Sequence, residues 1–301
     1  MAQNFLNTGT QQGNFDDLIN FIFKISYSDA PFFNSIGSVA AKGILHEWMT
    51  QALRAGASNQ QNEGFTPTYA ASNQVVRVRR QNPVQIIADE YSTSMTQEFV
   101  DKAGLGQGSE FDYQSDLREL EVLKDADFEI LQSTTVTRDA DAPTAGEMDG
   151  ALAAAPNDAN HRVDAGAGQL SQELYEGLSR TVYESSGVKG DLIVVAGNQR
   201  RKISTWTTNF KQVDHKDTEF VDTVEMYRGD FGVQAVLHDL HMPTTSLLHC
   251  RKEFMKKAFL RPLKHYELGQ IGDQRQGYVV TEVTLEYRNP NSIGRITNLA
   301  A

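Results

Sequence analysis

Three histidines and the chain's single cysteine crowd one stretch: His238, His241, His249 and Cys250. His238-Asp239-Leu240-His241 has the look of an H-x-x-H pair of metal ligands. A metal centre would need a third ligand on a suitable scaffold, and these residues fall on apparent strands and a turn before Pro243. They read as surface or structural histidines. A thiol nucleophile needs a base on its own side, whereas His249 and Cys250 are neighbours on a strand and point to opposite faces. Gly229-Asp230-Phe231-Gly232 contains the D-F-G of kinases, but no glycine-rich phosphate loop, strand lysine or catalytic loop precedes it, so it reads as a turn between strands. Gly104-Leu105-Gly106-Gln107-Gly108 resembles a phosphate cradle but follows no buried strand, and reads as a linker. There is no G-x-S-x-G elbow and no H-E-x-x-H. The sequence thus assigns no catalytic, cofactor-binding or metal-binding residue.

Charge is the other candidate chemistry. Acidic residues number 39 against 28 basic, a net charge of −11. That balance disfavours tight nucleic-acid binding, which needs Lys and Arg to neutralise phosphates. Two basic clusters stand out against it. One is Arg77, Arg79 and Arg80; the other runs from Arg251 and Lys252 through Lys256, Lys257 and Arg261 to Lys264. One reading is a strand face blunted by charge against aggregation. Another is pairing with acidic surface on neighbouring copies, for which Glu119 and Glu121 are the acidic candidates. DNA contact ranks third.

The elements that would position these groups follow from periodicity. Residues 1–14 are polar and read as an arm, and 15–27 carry Phe15, Leu18, Ile19, Ile22 and Phe23 at helical spacing. Residues 45–51, 74–81 and 84–88 are strand-like around a polar stretch, so 44–91 is expected to be a long two-stranded projection. Two strands bury too little to stand alone, so such a ribbon must lie on another part of the chain or on another subunit. Residues 110–133 give the best helix, with Phe111, Leu117, Leu120, Phe128 and Leu131 expected on one face, and Glu121, Lys124 and Asp127 paired at i,i+3. Residues 134–168 read as a surface loop. A helix over 170–185, a buried strand over 191–196 and a helix over 197–207 follow. Strands are expected over 220–227, 231–238, 244–250, 254–260 and 278–288. The class is α+β. Hydrophobic residues make up 40% of the 301 residues, enough for a real core, and no apolar run reaches the length of a membrane span. The N-terminus lacks a signal-peptide pattern, so the chain is expected to fold in cytoplasm.

Several strings, taken in order, carry a resemblance. They are Asp29-Ala30-Pro31-Phe32-Phe33-Asn34-Ser35-Ile36-Gly37, Leu45-His46-Glu47-Trp48-Met49-Thr50, Asp191-Leu192-Ile193-Val194-Val195 and Gln199-Arg200-Arg201-Lys202-Ile203-Ser204. Near the end come Lys257-Ala258-Phe259-Leu260-Arg261-Pro262, residues 269–272 and Glu282-Val283-Thr284-Leu285-Glu286-Tyr287-Arg288-Asn289. The ordered set resembles tailed-bacteriophage major capsid proteins with the Hong Kong 97-type capsid fold, from about residue 29 to 296.

The resemblance implies an N-terminal arm (1–43), an extended loop (44–91) and a peripheral domain with a spine helix (92–133). An axial domain (134–250), peripheral return strands (251–289) and a C-terminal axial strand (290–301) complete it. It implies a non-enzymatic subunit that forms hexamers and pentamers of an icosahedral head around double-stranded DNA, assembled in the host cytoplasm and residing in the virion. The partners implied are further copies of the chain, a scaffolding protein, a portal protein at one vertex, a cement protein where one exists, and packaged DNA touched non-specifically; no membrane is involved. Arg77, Arg79, Arg80, Glu119, Glu121, Lys256, Lys257 and Arg261 are the inter-subunit contact candidates. The type member of the fold cross-links its subunits through a lysine on the extended loop. Here no lysine occurs between Lys42 and Lys102, so a non-covalent shell is expected. Only about 28 residues precede the first matching string, so scaffolding is expected from a separate protein. The rivals are an encapsulin-like cargo shell and a soluble enzyme using the His238–Cys250 region.

Overall fold

The computed structural model describes residues 30–54, 56–67, 75–102, 108–135, 146–206, 226–270 and 272–301. The helix expected over 15–27, the strand start at 220–225 and the glycine run at 104–107 lie outside them. In chain order the elements are α1 (Pro31–Ser35), β1 (Gly37–Ala40), β2 (Leu45–Thr50), β3 (Val78–Pro83), β4 (Gln85–Ser94) and α2 (Met95–Phe99). Then come α3 (Glu110–Gln132), α4 (Ala151–Ala154), β5 (Arg162–Asp164), α5 (Gln172–Ser186), β6 (Leu192–Val195) and α6 (Gly197–Trp206). The chain closes with β7 (Met226–Gly229), β8 (Gly232–His238), β9 (Leu247–Cys250), β10 (Met255–Leu268), β11 (Gln274–Tyr287) and β12 (Gly294–Thr297).

Four strands form one sheet in the order β1-β10-β11-β4, with α3 packed across it. The strands expected over 254–260 and 278–288 are longer than periodicity suggested. β10 and β11 pair antiparallel over 14 residues each, and the register slips around Pro262, which has no N–H to give a ladder. α3 starts where Ser109 Oγ accepts from Asp112 N, and Glu98 adds a second cap by accepting from the Glu110 and Phe111 amides. Its buried stripe is Phe111, Ser115, Val122, Ala126, Ile130 and Leu131. Leu117 and Leu120 are only half-buried and Phe128 is exposed, so large apolar residues misplace the stripe by part of a turn. Asp127 faces inward and does not serve Lys124; Glu121 pairs with Arg118.

Six strands form the second sheet, β5-β12-β9-β6-β8-β7. β6 lies inside it, parallel to β8 and antiparallel to β9. Its alternation divides two cores: Leu192 and Val194 belong to the one that includes α3 residues such as Val122, while Ile193 and Val195 belong to the one that includes Tyr175, Leu178 and Val182 of α5. Burial on both faces is why this strand reads as an unbroken apolar run. The stretch expected as loop over 134–168 contains α4 and β5, and β5 pairs parallel with β12. Gly229–Gly232 is the turn between β7 and β8, as expected.

The projection is shorter than 44–91. β2 pairs with β3 from Leu45↔Pro83 to Thr50↔Val78, and the next strand, β4, belongs to the four-stranded sheet. Val84 makes the change by burying completely in a small cluster with Ala41 and Ala258. The ribbon's root is held by Trp48, whose Nε1 donates to Tyr287 O at 3.1 Å, and by His46, 2.8 Å from Glu286.

Candidate functional site

The His238–Cys250 stretch does not assemble. His249 is fully buried with Nδ1 2.9 Å from Tyr175 Oη, and loss of water pulls its pKa down to about 4. Cys250 turns to the other core, where burial pushes its thiol far up. No thiolate–imidazole dyad forms, and His238 and His241 do not converge on one point.

His241 instead meets two carboxylates that spacing could not bring together. Its Nδ1 lies 2.9 Å from Asp127 Oδ2 and 3.6 Å from Asp239 Oδ1. The three ligand-type atoms lie within 4.8 Å of one another, the one such group among the described residues. Their lone pairs are occupied, however. Asp127 Oδ1 accepts from Phe33 N at 2.7 Å, Asp239 Oδ2 from Phe32 N at 3.2 Å, and Asp239 Oδ1 from His241 N at 2.8 Å. Burial, with Asp239 beside it, pushes Asp127 up to about 6 against the hydrogen bonds from His241 and Phe33. The three side chains join α1, α3 and the turn after β8.

A second cluster has the outline of a hydrolase triad. His161 Nδ1 is 2.7 Å from Asp158 Oδ1, and its Nε2 is 2.8 Å from Ser185 Oγ. Nε2 also faces the Asn291 carbonyl at 3.1 Å, and a carbonyl can only accept, so Nε2 donates. Ser185 gives its own proton to Val182 O at 3.0 Å. The imidazole therefore has no lone pair aimed at the hydroxyl, and the cluster clamps the end of α5 to the turns at 158–161 and 289–292. Desolvation opposes it, but the His161 ring and amide hold Asp158 below its ordinary range.

The surface is more distinctive. One face of the ribbon carries Leu45 and Met49, Val78 lies on the opposite face beside Thr50, and Leu53 and Val76 follow beyond the paired segment, all exposed. Leu53 is 91% exposed and Val76 78%, which is unusual for large apolar side chains gathered on one projection. Arg77 is exposed at its edge, Arg79 pairs across the strands with Glu47, and Arg80 is on the half-buried face with Trp48. Glu119 is half-buried on α3 and Glu121 engages Arg118. Lys256 lies opposite Gly37 in the β1–β10 pair. Lys257 turns inward, donating to Phe33 O at 2.7 Å above the Phe33 ring, and Arg261 bonds Glu282 at 2.8 Å. The candidate charges are thus spread over the ribbon, α3 and β10, several with partners inside the chain.

A family model described as SU10 major capsid protein matches residues 3–300. No curated protein sequence matches the chain. Among solved structures, the capsid of a native GTA particle is similar with a TM-score of 0.67 at 12% identity, covering 98% of this chain and 97% of that one. A chain from Gordonia phage Cozz gives 0.63 at 13% identity, over 97% and 93%. The holo-SrpI encapsulin complex from Synechococcus elongatus PCC 7942 gives 0.63 at 9% identity, over 99% and 96%.

Proposed function

The chain belongs to the SU10 major capsid protein family, so its place is the virion capsid, and on that premise we propose how the shell is built. Copies of the chain join as hexamers and pentamers and close an icosahedral head around the double-stranded DNA of a tailed phage. The four-stranded sheet with α3 acts as the peripheral domain, and the six-stranded sheet acts as the axial domain at the centre of each capsomer. The observation that carries the reading is the ribbon: a two-stranded projection whose Leu45, Met49, Leu53 and Val76 are left exposed by the described residues of its own chain. A neighbouring copy supplies that partner, within a large obligate interface of roughly 2,000–5,000 Å². Arg77 and Arg79, with Arg80 behind them, meet acidic surface such as Glu119 on the neighbour, and Lys256 of β10 is a further contact, while Lys257 and Arg261 are engaged within their own chain. A separate scaffolding protein directs closure in the host cytoplasm, a portal protein occupies one vertex, and a cement protein has the outer surface available. The shell subunit performs no catalysis of its own.

Replacing Arg77, Arg79 and Arg80 with Glu tests the contact. The variant should keep the wild-type circular dichroism yet yield no closed particles by negative-stain microscopy; normal particle yield overturns it. The likeness to an encapsulin supports one second reading, a shell around protein cargo. Particles isolated with a DNA genome inside exclude that reading, whereas nuclease-insensitive particles filled only with protein establish it.

A further inference from the structure

The junction of Asp127, Asp239 and His241 lies where three parts of the molecule meet. Asp127 comes from α3 on the four-stranded sheet, while Asp239 and His241 come from the turn after β8 of the six-stranded sheet. Between them sits α1, fastened by its own amides: Phe33 N on Asp127 and Phe32 N on Asp239. Gln132, also on α3, donates to His241 O and adds a second tie across the same boundary. Lys257 of β10 grips α1 from the other side through Phe33 O.

Both carboxylates have fully buried side chains, and His241 is only 18% exposed. The groups facing Asp127 are Asp239 and His241 from the turn, Lys257 from β10 and the Phe33 amide from α1. With both carboxylates ionised and the imidazole neutral, the site holds two negative charges against the single positive charge of Lys257. Excess charge without water is costly, and one added proton balances it. We propose that this cluster is a proton-operated latch, closed in mild acid and loosened at neutral to alkaline pH, which fastens α1 across the boundary between the two sheets.

The direction follows from linkage. Asp127 titrates near 6 when buried and near 3.8 when released to water, so the closed form binds the extra proton and gains as pH falls through 6. For one proton, local opening becomes roughly four-fold rarer at about pH 5.5 than at about pH 7.5. The test is hydrogen exchange by mass spectrometry on peptides spanning 30–36 of the full-length chain. It is corrected for the intrinsic pH dependence of exchange, with light scattering confirming one assembly state at both pH values. Wild type should show about four-fold greater protection at the lower pH. Asp127→Asn, which removes the titrating carboxyl, should show none of that gain, and Asp239→Asn, which removes only the neighbouring charge, a smaller one. Protection that is flat or falls toward acid in wild type overturns the proposal, as does a full gain retained in Asp127→Asn. If neither variant folds, the wild-type slope alone decides.

Discussion

Asn82 joins Trp48 and His46 in holding the ribbon's root. It is fully buried, its Nδ2 donates to Leu285 O at 2.7 Å and Asp149 O at 3.1 Å, and its Oδ1 accepts from Asp149 N at 2.8 Å. One amide group thus ties β3 to β11 and to the residues before α4. Asn82→Ala orphans one N–H and two carbonyls. Each orphan costs about 1–3 kcal/mol, and the Asp149 side has partial access to water, so about 3–5 kcal/mol in total follows. That is a large share of the roughly 5–15 kcal/mol that holds a typical domain together. With a urea m-value of about 3 kcal/mol/M, the unfolding midpoint should fall by about 1–1.7 M. Asn82→Asp is nearly isosteric and separates hydrogen bonding from volume. It places a carboxylate oxygen against the two carbonyls, and only its protonated form can donate to either. The introduced carboxyl therefore titrates higher folded than unfolded, and its variant should be worst at neutral pH and recover as pH falls toward about 4. A drop of less than about 0.3 M for the alanine variant, or a pH-independent aspartate variant, would refute the reasoning.

Two further outcomes can be measured on the same chain. His249 titrates near 6.5 unfolded and near 4 folded, so the fold must shed a proton and stability falls by about 3 kcal/mol as pH drops through that window. Asp127 works in the opposite sense, gaining a comparable about 3 kcal/mol as pH falls from 6 toward 3.8. Wild-type urea midpoints should therefore be nearly level between about pH 6 and 5, rising toward acid in His249→Gln and falling in Asp127→Asn; parallel slopes in all three would contradict both assignments. Ser185 is a structural hydroxyl, so the chain should resist a fluorophosphonate probe, and labelling abolished by Ser185→Ala would show a live nucleophile.

The long helix, the buried β6 run and the D-F-G turn were legible because each rests on local periodicity or turn chemistry. The end of the ribbon was not. Pro83-Val84-Gln85 reads as strand on either side, and only the tertiary burial of Val84 beside Ala258 decides that β4 joins the sheet. The α3 stripe was misplaced because Phe128 looks apolar while Asp127 looks solvated, and the partner that reverses both, the turn at 239–241, lies over 100 residues away. The same distance hid the Asp127–Asp239–His241 junction. The Asp158–His161 half of the clamp is a local i,i+3 pair that the loop reading of 134–168 passed over, and Ser185 and Asn291 arrive only through α5 and the turn before β12. Family resemblance carried what periodicity could not, since ordered strings across the chain encode a topology and not one site.

The most direct test of the shell account is electron microscopy of the full-length chain, expressed alone and with a candidate scaffolding protein. The account predicts hexameric and pentameric capsomers or closed icosahedral particles in which each ribbon crosses onto an adjacent subunit. A discrete dimer or tetramer, unchanged by the scaffold and with its ribbons exposed to solvent, would contradict it.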